Sequence, residues 1–308
     1  MILTITANPS VDMSYELDRL NIDDVTRTDR VSKEPGGKGI HVGYVLHDLG
    51  KEVVHSGFVG GKLGEFIEEG LKERGQDSSF IKVSEATRNC IAILHEGKQT
   101  EILESGPTIS KDEAEDFLKS LPSMAEDSKI ISMSGSLPKG LDSDFYKKII
   151  SFARENGKFV AVDTSGQTLK DVVNADIKPD LIKPNETEVA DLLGKDLTRD
   201  GLLEALKESP LKEIPYVIVS LGSEGAVVKI KDKIYRAEVP TVEAVNPVGS
   251  GDSSLAGALY GIDEGRSDIE VIKTSMTCGL LNVLTSEIAH IEVDKFDKYY
   301  EKIKVEEI

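Results

Sequence analysis

The chain has 308 residues, of which 39% are hydrophobic and 30% charged, and this length suits one large α/β domain better than several independent modules. Its net charge of −18 argues against a protein that binds nucleic acid or an anionic membrane surface. An anionic small substrate stays compatible with this charge, because a few lysines and helix N-termini can make a local positive site on an acidic body.

The cysteines and the start of the chain indicate a cytoplasmic protein. Cys90 and Cys278 give neither a disulfide framework nor a pair of metal ligands at useful spacing. Residues 1–6 are typical of a first strand, since the basic lead and long apolar run of a signal peptide are absent. No stretch approaches the length of a membrane span.

Short apolar runs alternate with amphipathic segments along most of the chain. The predicted strands are 3–6, 53–59, 130–133, 159–163, 181–183 and 217–221. Helical patterns occur at 42–49, 64–75, 110–121, 143–157 and 254–260. Because most of the strand runs are continuously apolar, as in parallel strands buried on both faces, the pattern predicts a three-layer α/β/α sandwich with a mainly parallel central sheet.

Two stretches do not fit the alternation. Residues 10–35 and 86–104 lack a helical period and contain strand-like pieces, so we expect antiparallel strands outside the main sheet, which would form a small β-sheet lid. No low-complexity linker separates them from the rest, and we therefore treat 1–308 as a single domain.

The first half of the chain carries three candidate ligand-binding segments. Asp12 follows the first strand, where a carboxylate suits sugar hydroxyls, and Arg88 offers a guanidinium that could fork onto a phosphate. Gly36-Gly37-Lys38-Gly39 precedes a helix, allows close backbone approach and supplies a point charge, although it lacks P-loop spacing. Taken singly, each is better explained by a surface charge or a turn.

Three further segments each follow a predicted strand. Ser134 to Pro138 lies where α/β folds bind ligands, or is a simple strand exit. Asn185 and Glu188 could hold a hydrated Mg²⁺, or form an N-cap with an acidic first turn. Ser220 to Gly225 could pass near a nucleotide, or form a hairpin into the next strand.

The most informative stretch is Val245 to Ser253, which places two glycines and a carboxylate where a loop becomes a helix. Gly249 and Gly251 would let an anion approach the unpaired N–H groups at the positive end of the helix. Asp252 would stand beside that anion, where it could take a proton from a hydroxyl that attacks a phosphate. A glycine-rich turn with Asp as a helix cap is the alternative.

These segments together predict a phosphoryl-transfer site. Five of the loops follow strands of a parallel sheet and therefore share one edge. Three are rich in glycine, one carries Asp252, and others supply Lys or Arg.

The order of motifs resembles the ribokinase-like, phosphofructokinase B type sugar kinases along nearly the whole chain. The matching pieces are Asn8-Pro9 with Asp12, Gly36 to Gly39, Ser134 to Pro138, Asn185 with Glu188, and Gly249-Ser250-Gly251-Asp252. The Gly-x-Gly-Asp motif in combination with Asn-x-x-Glu is highly specific for that family.

The resemblance implies a role for each matching residue. Asp252 would be the base, and the N–H groups of Gly249, Ser250 and Gly251 an anion hole for the transferred phosphoryl group. The substrate would be held by Asp12, Gly37, Lys38, His41, Arg88 and Ser136. ATP would lie near Lys183, Asn185, Ser220, Gly222, Gly225 and Asn282, with Mg²⁺ ordered through water by Asn185 and Glu188.

The resemblance also implies a substrate and an assembly. Three stretches, 87–94, 104–107 and 245–253, favour D-tagatose 6-phosphate as acceptor, converted to D-tagatose 1,6-bisphosphate in lactose and galactose catabolism. Fructose 1-phosphate, converted to fructose 1,6-bisphosphate, is the alternative within the same class. A homodimer through the lid is expected. Position 41 is His where the family usually has Asn, which bears on the choice of substrate.

Two readings from other classes are less well supported. A non-catalytic sugar-phosphate sensor does not need Asp252 and its flanking glycines. A dinucleotide oxidoreductase is excluded because Asn-Pro, and not G-x-G-x-x-G, follows the first strand.

Overall fold

The computed structural model describes residues 1–308 and contains two β-sheets and ten α-helices. The main sheet consists of β1 (Ile2–Thr6), β4 (Val53–Val59), β5 (Asp77–Ser78), β6 (Ile81–Lys82), β9 (Ile130–Ser134), β10 (Phe159–Asp163), β11 (Leu181–Ile182), β12 (Tyr216–Ser220), β13 (Ala226–Ile230), β14 (Lys233–Glu238) and β15 (Lys304–Glu307). The small sheet consists of β2 (Ser10–Leu17), β3 (Val31–Gly36), β7 (Arg88–His95) and β8 (Lys98–Leu103).

The helices occupy the segments between these strands. They are α1 (Lys38–Asp48), α2 (Gly61–Glu73), α3 (Lys111–Met124), α4 (Ser143–Glu155), α5 (Gly166–Asn174), α6 (Glu186–Leu193), α7 (Arg199–Glu208), α8 (Ser250–Asp263), α9 (Asp268–Asn282) and α10 (Phe296–Tyr300). Local sequence explains several starts. The capping box of Ser110 and Glu113 opens α3, as predicted, and Asp142 caps α4.

The main sheet has the strand order β15-β14-β13-β12-β11-β10-β9-β1-β4-β5, with β6 also paired to β4. All pairs from β5 to β12 are parallel, while β12, β13, β14 and β15 pair antiparallel at one end. The chain leaves β1 toward β4 on one side and later returns to β9 on the other. The loops at this switch point therefore open onto a crevice at the carboxyl edge of the sheet.

Two hydrophobic layers cover the sheet and confirm the predicted three-layer sandwich. The layer under α1, α2, α8 and α9 and the layer under α3 to α7 each contain 33 buried hydrophobic residues. The central strands are buried along their whole length, as in β1 and β9, because both of their faces are covered. This packing fixes the strand ends that carry the site.

The small sheet lies apart from the sandwich and has the order β3-β2-β7-β8. Its strands come from the two predicted stretches. The pairs β2–β3 and β7–β8 are antiparallel, as expected, but β2 and β7 pair in parallel, so the prediction of purely antiparallel strands was wrong. The two hairpins come from distant parts of the chain, and hydrophobic pattern alone does not fix the direction in which they meet. We call this sheet the lid sheet.

None of the helices is both long and apolar enough to cross a membrane.

Candidate active site

A cavity of about 500 Å³ lies where the carboxyl edge of the main sheet faces the lid sheet. Its lining includes most of the residues that the sequence singled out. They are Asp12, Gly37, Lys38, His41, Arg88, Lys183, Asn185, Glu188, Ser220, Gly249, Gly251 and Asp252. Segments separated by more than 200 residues thus meet in one place.

Asp252 stands in the first turn of α8, on the wall of this cavity. Gly249 precedes the helix with φ 81°, a left-handed conformation that side chains other than glycine rarely adopt. Asp252 is buried, with 7% of its surface exposed, and its Oδ2 lies 3.1 Å from Nδ1 of His41. Its Oδ1 accepts no hydrogen bond from the protein, which leaves a carboxylate oxygen free at a helix N-terminus.

Asn282 supports the loop before α8 and lies outside the cavity wall. Its side chain is completely buried, and its Nδ2 donates to the carbonyl of Val248 over 2.8 Å. Its Oδ1 accepts from the hydroxyl of Ser253, which also donates to the carbonyl of Gly249. Both of its polar atoms are therefore used within the loop, and a nucleotide near Asn282 stays a prediction.

His41 bridges two carboxylates across the cavity floor. Its Nε2 lies 3.3 Å from Oδ2 of Asp12, on the side of the ring opposite Asp252. Burial alone lowers the pKa of His41, but the carboxylates of Asp12 and Asp252 outweigh burial and raise the pKa to about 10. The ring is therefore positively charged at neutral pH.

Asp12 is held by the lid hairpin itself. The hydroxyl of Ser10 donates to its Oδ1 over 2.6 Å. On the neighbouring strand, a Cβ added to Gly36 would lie 2.0 Å from the carboxyl carbon of Asp12. The carboxylate can thus occupy this position only because residue 36 has no side chain.

Asp163 gathers two lysines at the end of β10. Its carboxylate is buried, 3.3 Å from Nζ of Lys38 and 4.0 Å from Nζ of Lys183. Burial lowers the pKa of Lys38, but Asp163, Asp252 and Glu188 together raise it above its usual value. Nζ of Lys183 also lies 3.3 Å from where a Cβ on Gly251 would be, so positive charge reaches the mouth of α8.

Asn185 and Glu188 form a capping box at the start of α6. Asn185 Oδ1 accepts from the N–H of Glu188, and Glu188 Oε2 accepts from the N–H of Asn185, each over 2.8 Å. The N-cap alternative is thus confirmed. Oε1 of Glu188 accepts no hydrogen bond from the protein, and no cluster of three metal-ligating side chains is present. This donor set suits only an ion such as Mg²⁺ that keeps several of its waters.

Arg88 joins the lid sheet to the first strand loop. Its guanidinium donates to the carbonyls of Glu104 and Asn8, each over 3.0 Å. Its Nε is buried without a protein partner. Lys38, by contrast, contacts Asp163, so the two predicted phosphate ligands are held by different parts of the protein.

Besides Asn282, four predicted residues lie outside the cavity lining. Ser136 is exposed, and the turn from Gly222 to Gly225 joins the antiparallel pair β12 and β13, which confirms the hairpin alternative. Ser220, at the end of β12, does line the cavity, whereas Ser250 only opens α8. The predicted strand 217–221 therefore contributes only Ser220 to the cavity lining, and the chain then leaves the site through the hairpin.

Asp163 is the main residue that the sequence analysis missed. The strand Phe159–Asp163 was predicted, and a carboxylate at its carboxyl end was a usable signal, because that edge faces the site. The lid residues Gln99 and Glu101 also line the cavity, but nothing in their local pattern distinguishes them from surface residues.

The cavity combines a free carboxylate at a glycine-flanked helix start with two lysines and with a second carboxylate on a covering sheet. This combination is typical of an enzyme that transfers a phosphoryl group to a small molecule. The comparison with protein families identifies which one. The chain belongs to the pfkB family of carbohydrate kinases, whose model matches residues 5–293. It is therefore a kinase that phosphorylates a hydroxyl group of a sugar, on the ribokinase-like fold of that family.

Individual relatives agree with this assignment. The chain is 46% identical to a tagatose-6-phosphate kinase of Staphylococcus epidermidis over 310 residues, covering all of both chains. Its structure matches a Y23D mutant of Escherichia coli phosphofructokinase-2 with TM-score 0.90 and 26% identity, covering 97% and 98% of the two chains. It matches a Thermotoga maritima protein described as a possible 1-phosphofructokinase with TM-score 0.88 and 26% identity, covering 100% and 99%.

Proposed function

We propose that the protein transfers the terminal phosphoryl group of ATP to D-tagatose 6-phosphate and forms D-tagatose 1,6-bisphosphate. The observation that carries this proposal is the unpartnered Oδ1 of Asp252 at the mouth of α8, inside a cavity that the lid sheet covers. The tagatose acceptor is supported by the 46% identity to a tagatose-6-phosphate kinase over the full length. Such an enzyme would serve the tagatose 6-phosphate branch of lactose and galactose catabolism.

In the proposed reaction, the carbon-1 hydroxyl of the sugar loses its proton to Asp252 as its oxygen bonds to the terminal phosphorus of ATP. The bond from that phosphorus to the bridging oxygen breaks, and ADP leaves. The transition state is loose and its charge is spread over the phosphoryl oxygens, so positioning and electrostatic stabilisation dominate catalysis. The N–H groups of Gly249 and Gly251 and the ammonium groups of Lys38 and Lys183 supply that stabilisation, whereas the N–H of Ser250 donates to the carbonyl of Pro247.

The remaining residues hold the two substrates. Asp12 accepts hydrogen bonds from sugar hydroxyls, and Arg88, which lines the cavity, binds the phosphate that the sugar already carries. The phosphates of ATP lie along Lys183, Asn185 and Ser220. Glu188 and Asn185 would hold a Mg²⁺ ion through water, and the bound ion would neutralise phosphate charge.

The lid sheet excludes water from the cavity, so that ATP is not lost to hydrolysis. We further propose that it pairs with a second copy of the chain. Ile102 and Leu103 on β8 are 54% and 61% exposed, and Val31 on β3 is 40% exposed. Sedimentation of Ile102→Asp against the unchanged protein tests this: a homodimer through the lid predicts a shift to monomer.

A panel of sugar phosphates in a coupled assay for ADP tests the acceptor. We expect the highest kcat/KM with D-tagatose 6-phosphate. A higher value with fructose 1-phosphate would replace the tagatose assignment by the 1-phosphofructokinase alternative. Binding of sugar phosphates without any ADP formation would identify a sensor. The proposed enzyme acts as one domain, 1–308, in the cytoplasm.

A further inference from the structure

His41 occupies an unusual position between the two carboxylates of the site. Its Nδ1 lies 3.1 Å from Oδ2 of Asp252 on α8, and its Nε2 lies 3.3 Å from Oδ2 of Asp12 on the lid sheet. The imidazole is 8% exposed, so little water competes for its nitrogens. It is the side chain that connects the proposed base to the proposed sugar-binding carboxylate.

The contacts determine the protonation state of the ring. Ionised carboxylate oxygens only accept hydrogen bonds, whereas a neutral imidazole has one N–H and one lone pair. Nδ1 is hydrogen-bonded to Asp252, and Nε2 lies at ion-pair distance from Asp12. A neutral ring would turn a lone pair toward one of these two carboxylates, so the imidazolium is the form that suits both contacts. The pKa of His41, which the two carboxylates raise to about 10 against the effect of burial, agrees with this reading.

We propose that His41, as an imidazolium, is a positioning residue that ties Asp252 to Asp12 and turns the free Oδ1 of Asp252 toward the acceptor hydroxyl. This inference rests on the proposed function and extends it. The proton of the hydroxyl goes to Oδ1 of Asp252 and not to His41, whose nitrogens hold no lone pair.

No other cation lies within ion-pair distance of these two carboxylates. Lys38, one turn earlier on α1, directs its ammonium to Asp163. Tyr44, one turn later, has its ring centre 6.4 Å from that of His41, and its pKa is raised by burial, so it stays neutral. Glu34 on β3 is paired with Arg74. The positive charge that pairs directly with Asp12 and Asp252 is therefore that of His41.

Variants of His41 test the proposal through kcat, KM and pH. His41→Gln and His41→Asn keep a polar side chain but remove the charge. We expect kcat to fall about 10- to 100-fold, as for misplacement of a catalytic group by roughly 1 Å, while KM for ATP stays unchanged. The acid limb of the pH profile of kcat should move to higher pH, because the variants remove a positive charge from beside the catalytic carboxylate.

His47→Gln is the matched control, since His47 lies on the same helix but is exposed at its last turn. It should leave kcat and the pH profile unchanged. If His41→Gln shows the same kcat and the same acid limb as the unchanged protein, the positioning role is wrong.

Nitrogen-15 spectra of the unchanged protein test the charge directly, without any variant. One imidazolium signal must persist at pH 8.5, and its absence would overturn the proposal. These spectra do not depend on turnover. A protein with the imidazolium signal but no activity on any sugar phosphate would therefore contradict the proposed function and not the carboxylate–imidazolium–carboxylate contact.

Discussion

The cavity is built from two regions that are held in different ways. On the main-sheet side, strands buried on both faces deliver Asp163 and Lys183, and α8, buried over most of its length, delivers Asp252. On the lid side, β2 and β7 are half-buried and β8 is exposed throughout. From this difference in burial we expect the main-sheet side, the floor of the cavity, to perform the chemistry and the lid to select the sugar phosphate. Floor variants should therefore change kcat, and lid variants should change KM.

The largest effect is expected at the floor, from Asp252→Asn. Loss of a general base typically lowers turnover by about 10²–10⁴-fold. The amide is close in size, so ATP affinity should be retained. Steady-state kinetics and ATP titration measure the two quantities. Asp200→Asn, which removes an exposed first-turn carboxylate from α7, is the control and should be neutral. Near-normal turnover of Asp252→Asn would reject the assigned base.

On the lid side, Arg88→Gln should raise KM for the sugar phosphate by about 10- to 100-fold with a much smaller change in kcat. A charge-assisted hydrogen bond contributes roughly 1.5–3 kcal/mol, which corresponds to that range. Arg30→Gln removes a cation from the exposed part of the lid, where it pairs with Asp18, and should leave KM unchanged. A fall in kcat at constant KM would mean instead that Arg88 acts in the chemical step.

A smaller loss of activity is expected from Asn282→Ala, because Asn282 supports the loop before α8 from outside the cavity. It leaves the carbonyl of Val248 without its donor, and a buried unsatisfied group costs about 1–3 kcal/mol of stability. The displaced loop should also lower kcat by about tenfold. Thr277→Ala, whose hydroxyl bonds only the carbonyl of Lys273 in its own helix, should leave kcat unchanged. Denaturation and kinetics together separate the two effects.

The stability contributions of His41 in the site and His55 in the core should depend on pH in opposite ways. His55 is buried in the core between Thr4 and Gln76, and burial lowers its pKa to about 4. Its contribution to stability is therefore complete above pH 6.5 and is lost as pH falls through 4. The raised pKa of His41 has the opposite consequence, since its contribution is complete below pH 6.5 and is lost as pH rises through 10.

Denaturant unfolding from pH 4 to pH 10 measures both contributions. Relative to the unchanged protein, His55→Gln should flatten the decline in stability on the acid side, and His41→Gln the decline on the alkaline side. The same slope in all three proteins on the alkaline side would mean that His41 does not gain its proton on folding.

Sequence patterns predicted the floor well, because its elements are encoded locally. The apolar runs located β1, β4, β9, β10 and β12 within a residue or so, and the strand 181–183 was found as Leu181–Ile182. The glycines around Asp252 marked the start of α8. These features need only short-range rules about burial, capping and the carboxyl edge of a parallel sheet.

The lid and the contacts across the cavity could not be predicted to the same depth. The parallel pairing of β2 with β7 joins residues about 78 positions apart, Ser10 with Arg88, and depends on how the hairpins pack. The position of His41 between Asp12 and Asp252 depends on three separate elements. The burial of Asn282 follows from the packing of α9 on α8, which a helix pattern alone does not reveal.

The absence of a side chain at Gly36 has a practical consequence for redesign. Because the carboxylate of Asp12 fills the space that a side chain at 36 would need, the residues at these two positions depend on each other sterically. A chimera that exchanges only one strand of this hairpin, and so brings a side chain to position 36 while Asp12 is kept, would create a steric clash. Acceptor preference should therefore be transplanted between such enzymes as whole hairpins.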